Sequence, residues 1–212
     1  MKLTQINETL IEYQFANKIS LAISEEIFKS YYYLLKNCDY QKLGLLDITP
    51  CFNSIAISYK SSSPLFNDPD YLRDDIIRGR DFPHKINNKT HIIEISYNGL
   101  DLDEVCLLLK LTKKEFIHVH QKNTYTIAML GFKGNFPYLL GLDKRLILPR
   151  RASPRNRVKK GSVAIGSEQC GIYVEDSPGG WHIIGHTEQS DFSSLKAGDK
   201  VVFKPFSQEK LC

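Results

Sequence analysis

Apolar and polar positions alternate over residues 10–13, a period of two that sends successive side chains to opposite faces of a strand. The period then lengthens: Ile23, Ile27, Phe28, Tyr31, Leu34 and Leu35 recur at the spacing that gathers side chains on one face of a helix. The polar stretch 37–44 ends that helix. Residues 45–48 and 54–59 read as two strands, the second with clear alternation. Asp68 ahead of Pro69 has the form of an N-cap followed by proline at the first helical position. Leu72, Ile76 and Ile77 give that helix a core face, and Gly79 stands where a C-cap is expected. Residues 81–90 are rich in Pro, Asn and Lys and show no period, and a domain boundary is placed there.

Past the boundary, residues 91–97 form a strand pattern. Two short helices follow, each with capping-box spacing, Asp101 with Glu104 and Thr112 with Glu115. Such pairs satisfy backbone N–H groups left free at a helix start. The chain then changes character. Apolar runs at 125–129, 146–148, 163–165, 172–174, 182–184 and 201–203 are short and separated by Gly, Pro, Ser and Asp, and the turn Ala197-Gly198-Asp199-Lys200 feeds the last. The pattern predicts an α+β domain over 1–88, then a mainly-β domain over 89–212 whose strands are closed or sandwiched.

Composition narrows the class. A chain of 212 residues with 42% hydrophobic and 25% charged residues is ordinary globular protein, and either half can bury a core without disulfides or metal. Five cysteines, widely spaced and with no C-x-x-C, fit a reducing compartment where thiols serve as small core residues. The first residues have no apolar stretch of the secretory kind, and no run approaches the roughly 18 apolar residues of a membrane span. The sequence therefore reads as a cytoplasmic, non-membrane protein. A net charge of +4 is too mild to indicate a nucleic-acid partner.

Candidate chemistry concentrates in the second half. Arg150, Arg151, Arg155, Arg157, Lys159 and Lys160 form the densest charge run, punctuated by Pro149 and Pro154. It reads either as a solvated loop or as a stiffened loop whose planar guanidinium groups recognise a carboxylate or phosphate. No aromatic residue is interleaved with the basic ones, which disfavours nucleic acid. Gly161 and Gly166 have phosphate-loop spacing, but Ser167-Glu168 stands where Lys-Ser/Thr is required, so a Walker loop is rejected. Ser177-Pro178-Gly179-Gly180-Trp181 reads either as a tight turn with a core tryptophan or as a bare bend, glycines at positive φ, beside a rigid ligand wall. His118 and His120 lie two apart on a helix and so face apart, and no metal site is predicted. His120 remains a candidate base, His182 reads as structural, and His186 is open to either role. No G-x-S-x-G elbow or activated cysteine announces a nucleophile.

Taken in order, the second-half motifs resemble one family. Met129-Leu130-Gly131-Phe132 with Phe136-Pro137-Tyr138-Leu139 and Gly141-Leu142-Asp143 is similar to its glycine–phenylalanine loop. Pro149-Arg150 followed by Pro154-Arg155 and Val158 is similar to its paired proline–arginine motif. Gly161-Ser162-Val163, Gln169, Gly171-Ile172-Tyr173 and Ser177-Pro178-Gly179-Gly180-Trp181 complete the series, and His120 falls where the family also places a histidine. The first half agrees through Asp47, Pro50, Ser54 and Tyr59. On these residues the chain resembles the family of the 5-oxoprolinase B subunit, KipI and allophanate hydrolase subunit 1. Gly134-Asn135 replaces the family's proline–glycine, His186 replaces a common arginine, and the segment after Gly99 is shorter than usual.

The resemblance implies a cyclophilin-like β-barrel for residues 89–212 and a subunit inactive without its partners. It implies an ATP-dependent 5-oxoprolinase that opens 5-oxoproline to glutamate with a second, KipA-like subunit and a third, with ATP bound in the complex. His120, Arg150 and Arg155 are then the catalytic candidates. Gly131, Phe132, Gln169, Tyr173, Ser177, Gly179, Gly180 and Trp181 are the candidates for binding substrate. The same family also implies two alternatives, a KipI-like inhibitor of a sensor histidine kinase and half of a urea carboxylase/allophanate hydrolase system.

Overall fold

The computed structural model describes residues 1–83, 88–133 and 135–206. The chain divides into two compact units, Met1–Asn87 and Asn88–Cys212. The boundary segment 81–90 lies partly outside the described residues, as do Gly134 and Cys212.

The first unit is a four-stranded antiparallel sheet with helices. Its elements are β1 (Lys2–Asn7), β2 (Leu10–Gln14), α1 (Leu21–Asn37), β3 (Leu45–Pro50), β4 (Ser54–Tyr59), α2 (Pro64–Asn67) and α3 (Arg73–Arg80), and the strand order is β1-β2-β4-β3. Alternation does the sorting: Ile11 and Tyr13 of β2 and Ile55, Ile57 and Tyr59 of β4 turn inward and meet Ile27 and Leu34 of α1. Ser20 caps α1, its hydroxyl accepting from the Ile23 N–H at 3.3 Å. Leu35 and Ile77, expected on core faces, are exposed instead.

Two boundaries differ from expectation. The N-cap and first-turn proline fall at Ser63-Pro64, where Ser63 accepts from the Leu65 N–H; Asp68 closes that helix rather than opening one. Gly79 is not a cap but lies inside α3, packed directly against α1. A Cβ there would stand 2.6 Å from Ser30 Cα, while the Ser30 hydroxyl donates to the Ile76 carbonyl at 2.8 Å. Gly79→Ala therefore forces α1 and α3 apart and is expected to destabilise the unit by about 1–3 kcal/mol, read as a lowered urea midpoint.

The second unit contains β5 (Thr90–Ile95), α4 (Leu102–Leu109), α5 (Lys113–Lys122), β6 (Thr124–Gly131), β7 (Phe136–Leu140), a 3₁₀ turn (Lys144–Leu146), β8 (Arg155–Val158), β9 (Ser162–Gly166), β10 (Gln169–Ile172), β11 (Ser177–Gly179), β12 (His182–His186) and β13 (Lys200–Pro205). A seven-stranded sheet runs β12-β9-β10-β7-β6-β13-β5, parallel between β13 and β5 and antiparallel elsewhere; β8 and β11 pair separately. The sheet curls until its edges meet, Ser96 and His186 exchanging two backbone hydrogen bonds of 2.8 and 2.9 Å. The fold is thus mixed α/β with a curled sheet. The apolar run 146–148 forms the 3₁₀ turn and a single bridge rather than a strand.

Strand pleating divides this unit's interior in two. Val163, Ile165 and Ile184 face the main core with Ile127, Leu139 and Phe203, whereas Ala164 and Ile183 face a second cluster of Phe136, Val158, Tyr173 and Trp181. The capping box at Thr112 and Glu115 is formed. That at Asp101 is not, because its carboxylate is directed elsewhere.

Candidate functional site

The second cluster forms the floor of a cavity of about 260 Å³. β7 brings Phe136 and Tyr138, two apart and so on one face, against Trp181 at ring-centroid distances of 5.4 and 5.8 Å. Phe136 also meets Tyr173 edge-on at 5.1 Å. Burial raises the Tyr173 and Tyr138 hydroxyls, with Arg150 pulling the other way, so both remain protonated at neutral pH.

The rim is built from the proline–arginine loop. Arg150 is exposed and lies over the Trp181 ring, its Cζ 5.6 Å from the centroid. Two bonds fix the loop: the Arg151 N–H donates to the Gly180 carbonyl at 2.8 Å, and His182 Nε2 donates to the Pro149 carbonyl at 2.9 Å. Gly179 is required for space, since a Cβ there would stand 2.1 Å from the Tyr173 hydroxyl. Neither Gly179 nor Gly180 has the positive φ expected of this bend. Phe132 does, at φ 60°; for an aromatic residue this is a strained setting, and it holds the ring 66% exposed at the cavity's edge. A second cavity of about 610 Å³ shares Arg150 and Arg151 and is walled by Leu108, Leu109, Ile147 and Leu148.

Six of the residues singled out from sequence line the smaller cavity: Phe132, Arg150, Tyr173, Gly179, Gly180 and Trp181. Gly131 ends β6 beside Met129, while Gln169 and Ser177 are buried in β10 and β11. Arg155 does not line it. Its guanidinium bonds to Asp101 at 2.5 Å.

His120 lines neither of these two cavities. It is 0% exposed in the main core, 2.8 Å from the Tyr97 hydroxyl, stacked on Phe116 and tilted against Phe203, and burial pushes its imidazole down to about 3. Phe136 and Tyr138, named from sequence only within the family motif, and Arg151, named only within the basic run, line the cavity too, and Asp101, read as a helix-start residue, holds Arg151. Among the described residues, no group of three or more His, Cys, Asp or Glu is placed to hold a metal ion, and no helix is long and apolar enough to cross a membrane.

The curled mixed α/β sheet fixes the fold class, and sequence comparison supplies the family. The chain belongs to the family described as carboxyltransferase domain, subdomain C and D, whose sequence model matches residues 1–202. Among its relatives, the 5-oxoprolinase B subunit of Haemophilus influenzae is 46% identical over 112 residues, covering 50% of this chain and 53% of that protein. The Bacillus subtilis protein of the same name is 37% identical over 136 residues, covering 59% and 57%. The chain thus spans about half the length of the curated relatives it matches. The crystal structure of TTHA0988 superposes with a TM-score of 0.78 at 27% identity, over 93% of this chain and 40% of that one. An uncharacterized Pyrococcus horikoshii protein, PH0987, matches over 99% of both chains with a TM-score of 0.56 at 28% identity. The K. lactis urea amidolyase, at 17% identity and a TM-score of 0.77 over 99% of this chain and 15% of that one, shares the fold.

Proposed function

We propose that this chain is a subunit of an ATP-dependent 5-oxoprolinase that opens 5-oxoproline to glutamate together with a KipA-like partner subunit and a third subunit. The observation that carries the reading is the 260 Å³ cavity, rimmed by a guanidinium with no acidic partner among the described residues, in a chain whose relatives bear the name of the 5-oxoprolinase B subunit. The cavity lies just below the usual range for drug-sized ligands, which suits a five-membered lactam carrying one carboxylate. In this reading Arg150 takes the carboxylate through its planar fork, while Trp181 and Phe136 face the ring. Negative charge developing on the lactam oxygen needs fixed donors, and the backbone N–H groups near Gly179 and Gly180 and the arginines are the nearest source. Arg155 acts from behind the cavity, through Asp101.

ATP supplies a phosphoryl group that activates an amide or carboxylate oxygen. The groups of this chain suited to phosphoryl oxygens are the guanidinium groups of Arg150 and Arg151, which line both cavities. The Gly161–Gly166 run is unsuited to holding phosphate, because residues 162–166 are a buried strand and Gly166 packs against the Trp181 ring. We read the two compact units as domains of 1–88 and 89–212, the second a cyclophilin-like barrel; the Ser96–His186 bridge supports closure.

Co-expression with the products of neighbouring genes tests the reading. A complex that consumes 5-oxoproline only when ATP is added is expected. A stable complex inert toward 5-oxoproline with ATP present contradicts it.

A further inference from the structure

We propose that Asp101 is a positioning residue and that Arg151, which it holds where the two cavities meet, is the ligand for an oxyanion, a carboxylate or a phosphate. This rests on reading the cavity as a substrate site.

Asp101 is 2% exposed, and both its oxygens are committed. Oδ1 accepts from Arg151 Nη1 at 2.8 Å and from Arg155 Nη2 at 2.5 Å, and Oδ2 accepts from the Ile183 N–H at 2.7 Å. One carboxylate oxygen thus draws two guanidinium groups together and ties them to β12. Charge is left over. Among the described residues, Arg150, Arg151 and Arg155 face only Asp101 and the exposed Glu104, which stands 3.4 Å from Arg151. The Arg151 side chain is 25% exposed, so an oxyanion reaches it and supplies the missing negative charge.

Arg151 is the group best placed to receive it. It lines both cavities, whereas Arg155 lines neither. An ion pair that merely fastened α4 to the sheet would need one guanidinium, not two converging on a single oxygen beside a third arginine. The positioning role follows from geometry: without the Asp101 charge, two like-charged groups have no reason to stay together.

Trp181 is the single tryptophan of the chain and lines the smaller cavity, so its emission reports occupancy. The wild-type protein is titrated with 5-oxoproline and, separately, with inorganic phosphate. Asp101→Asn keeps an oxygen for the Ile183 N–H but removes the charge. Saturable binding is expected in the wild type and at least a tenfold weaker Kd in Asp101→Asn. Arg151→Gln should lose the same affinity while still unfolding in one cooperative transition, and decides the matter if Asp101→Asn fails to fold. Arg157→Gln, which removes an exposed guanidinium paired with Asp176, should bind as wild type. Wild-type affinity in Arg151→Gln, or no saturable response of the wild type to either probe, overturns the proposal. Binding of phosphate but not 5-oxoproline, lost in Arg151→Gln, upholds it while overturning the 5-oxoprolinase reading.

Discussion

If the chain works in the proposed 5-oxoprolinase, Arg150→Ala is expected to lower kcat/KM of the assembled complex for 5-oxoproline by about 100-fold, a loss of roughly 2.7 kcal/mol of transition-state stabilisation, and to leave the unfolding midpoint where it was. Two observations set that expectation. Arg150 has no carboxylate partner among the described residues, and its guanidinium stands at the cavity rim over Trp181. Its charge is therefore available to a ligand rather than spent on the fold. Because the side chain is exposed, its removal changes stability by no more than about 0.5 kcal/mol. Arg150→Lys should recover only part of the loss, since an ammonium keeps the charge but not the planar two-donor fork. Steady-state kinetics on the complex decide it; an Arg150→Ala complex at the wild-type rate removes Arg150 from the site.

The second large effect concerns acid and the core. His120 has a folded-state value of about 3 against an ordinary 6.5, because burial penalises its charged form. Above pH 6.5 neither state holds the extra proton, and this residue adds no pH dependence. As pH falls below 6.5 the unfolded chain takes up a proton that the folded chain refuses. Stability then drops by up to about 1.4 kcal/mol per pH unit until about pH 3. His120→Leu removes this slope together with the Tyr97–His120 hydrogen bond, at a loss of about 0.5–1.5 kcal/mol at neutral pH. Urea unfolding from pH 7.5 to 4.5 should give a shallower pH dependence for His120→Leu than for wild type. Identical slopes would contradict the buried, neutral assignment.

The contrast between His120 and Asp101 explains how far the sequence could be read. Elements governed by local pattern were legible: the strand alternation of 54–59, the apolar face of α1 and the capping box at Thr112 are all formed. Asp101 has the same local spacing to an acidic residue, yet its partners Arg151, Arg155 and Ile183 lie 50, 54 and 82 residues away. Nothing within a helical turn distinguishes the two. Gly79 likewise looks like a stop signal, and only the approach of Ser30 reveals a packing requirement. His120 matched a family histidine by position, but position does not report enclosure. β1 was missed because its side chains are half-buried or exposed, so no inward row of apolar residues marks it. The cavity-lining set came from ordered motifs rather than from periodicity, and six of those residues do converge.

A structure of the protein soaked with 5-oxoproline addresses the central idea, a cavity in the second unit that holds a small oxyanion against aromatic rings. Density is expected between Trp181 and the rim, with carboxylate oxygens within hydrogen-bonding distance of Arg150 or Arg151. Clear density for the ligand elsewhere, with this cavity filled only by water, would contradict the account.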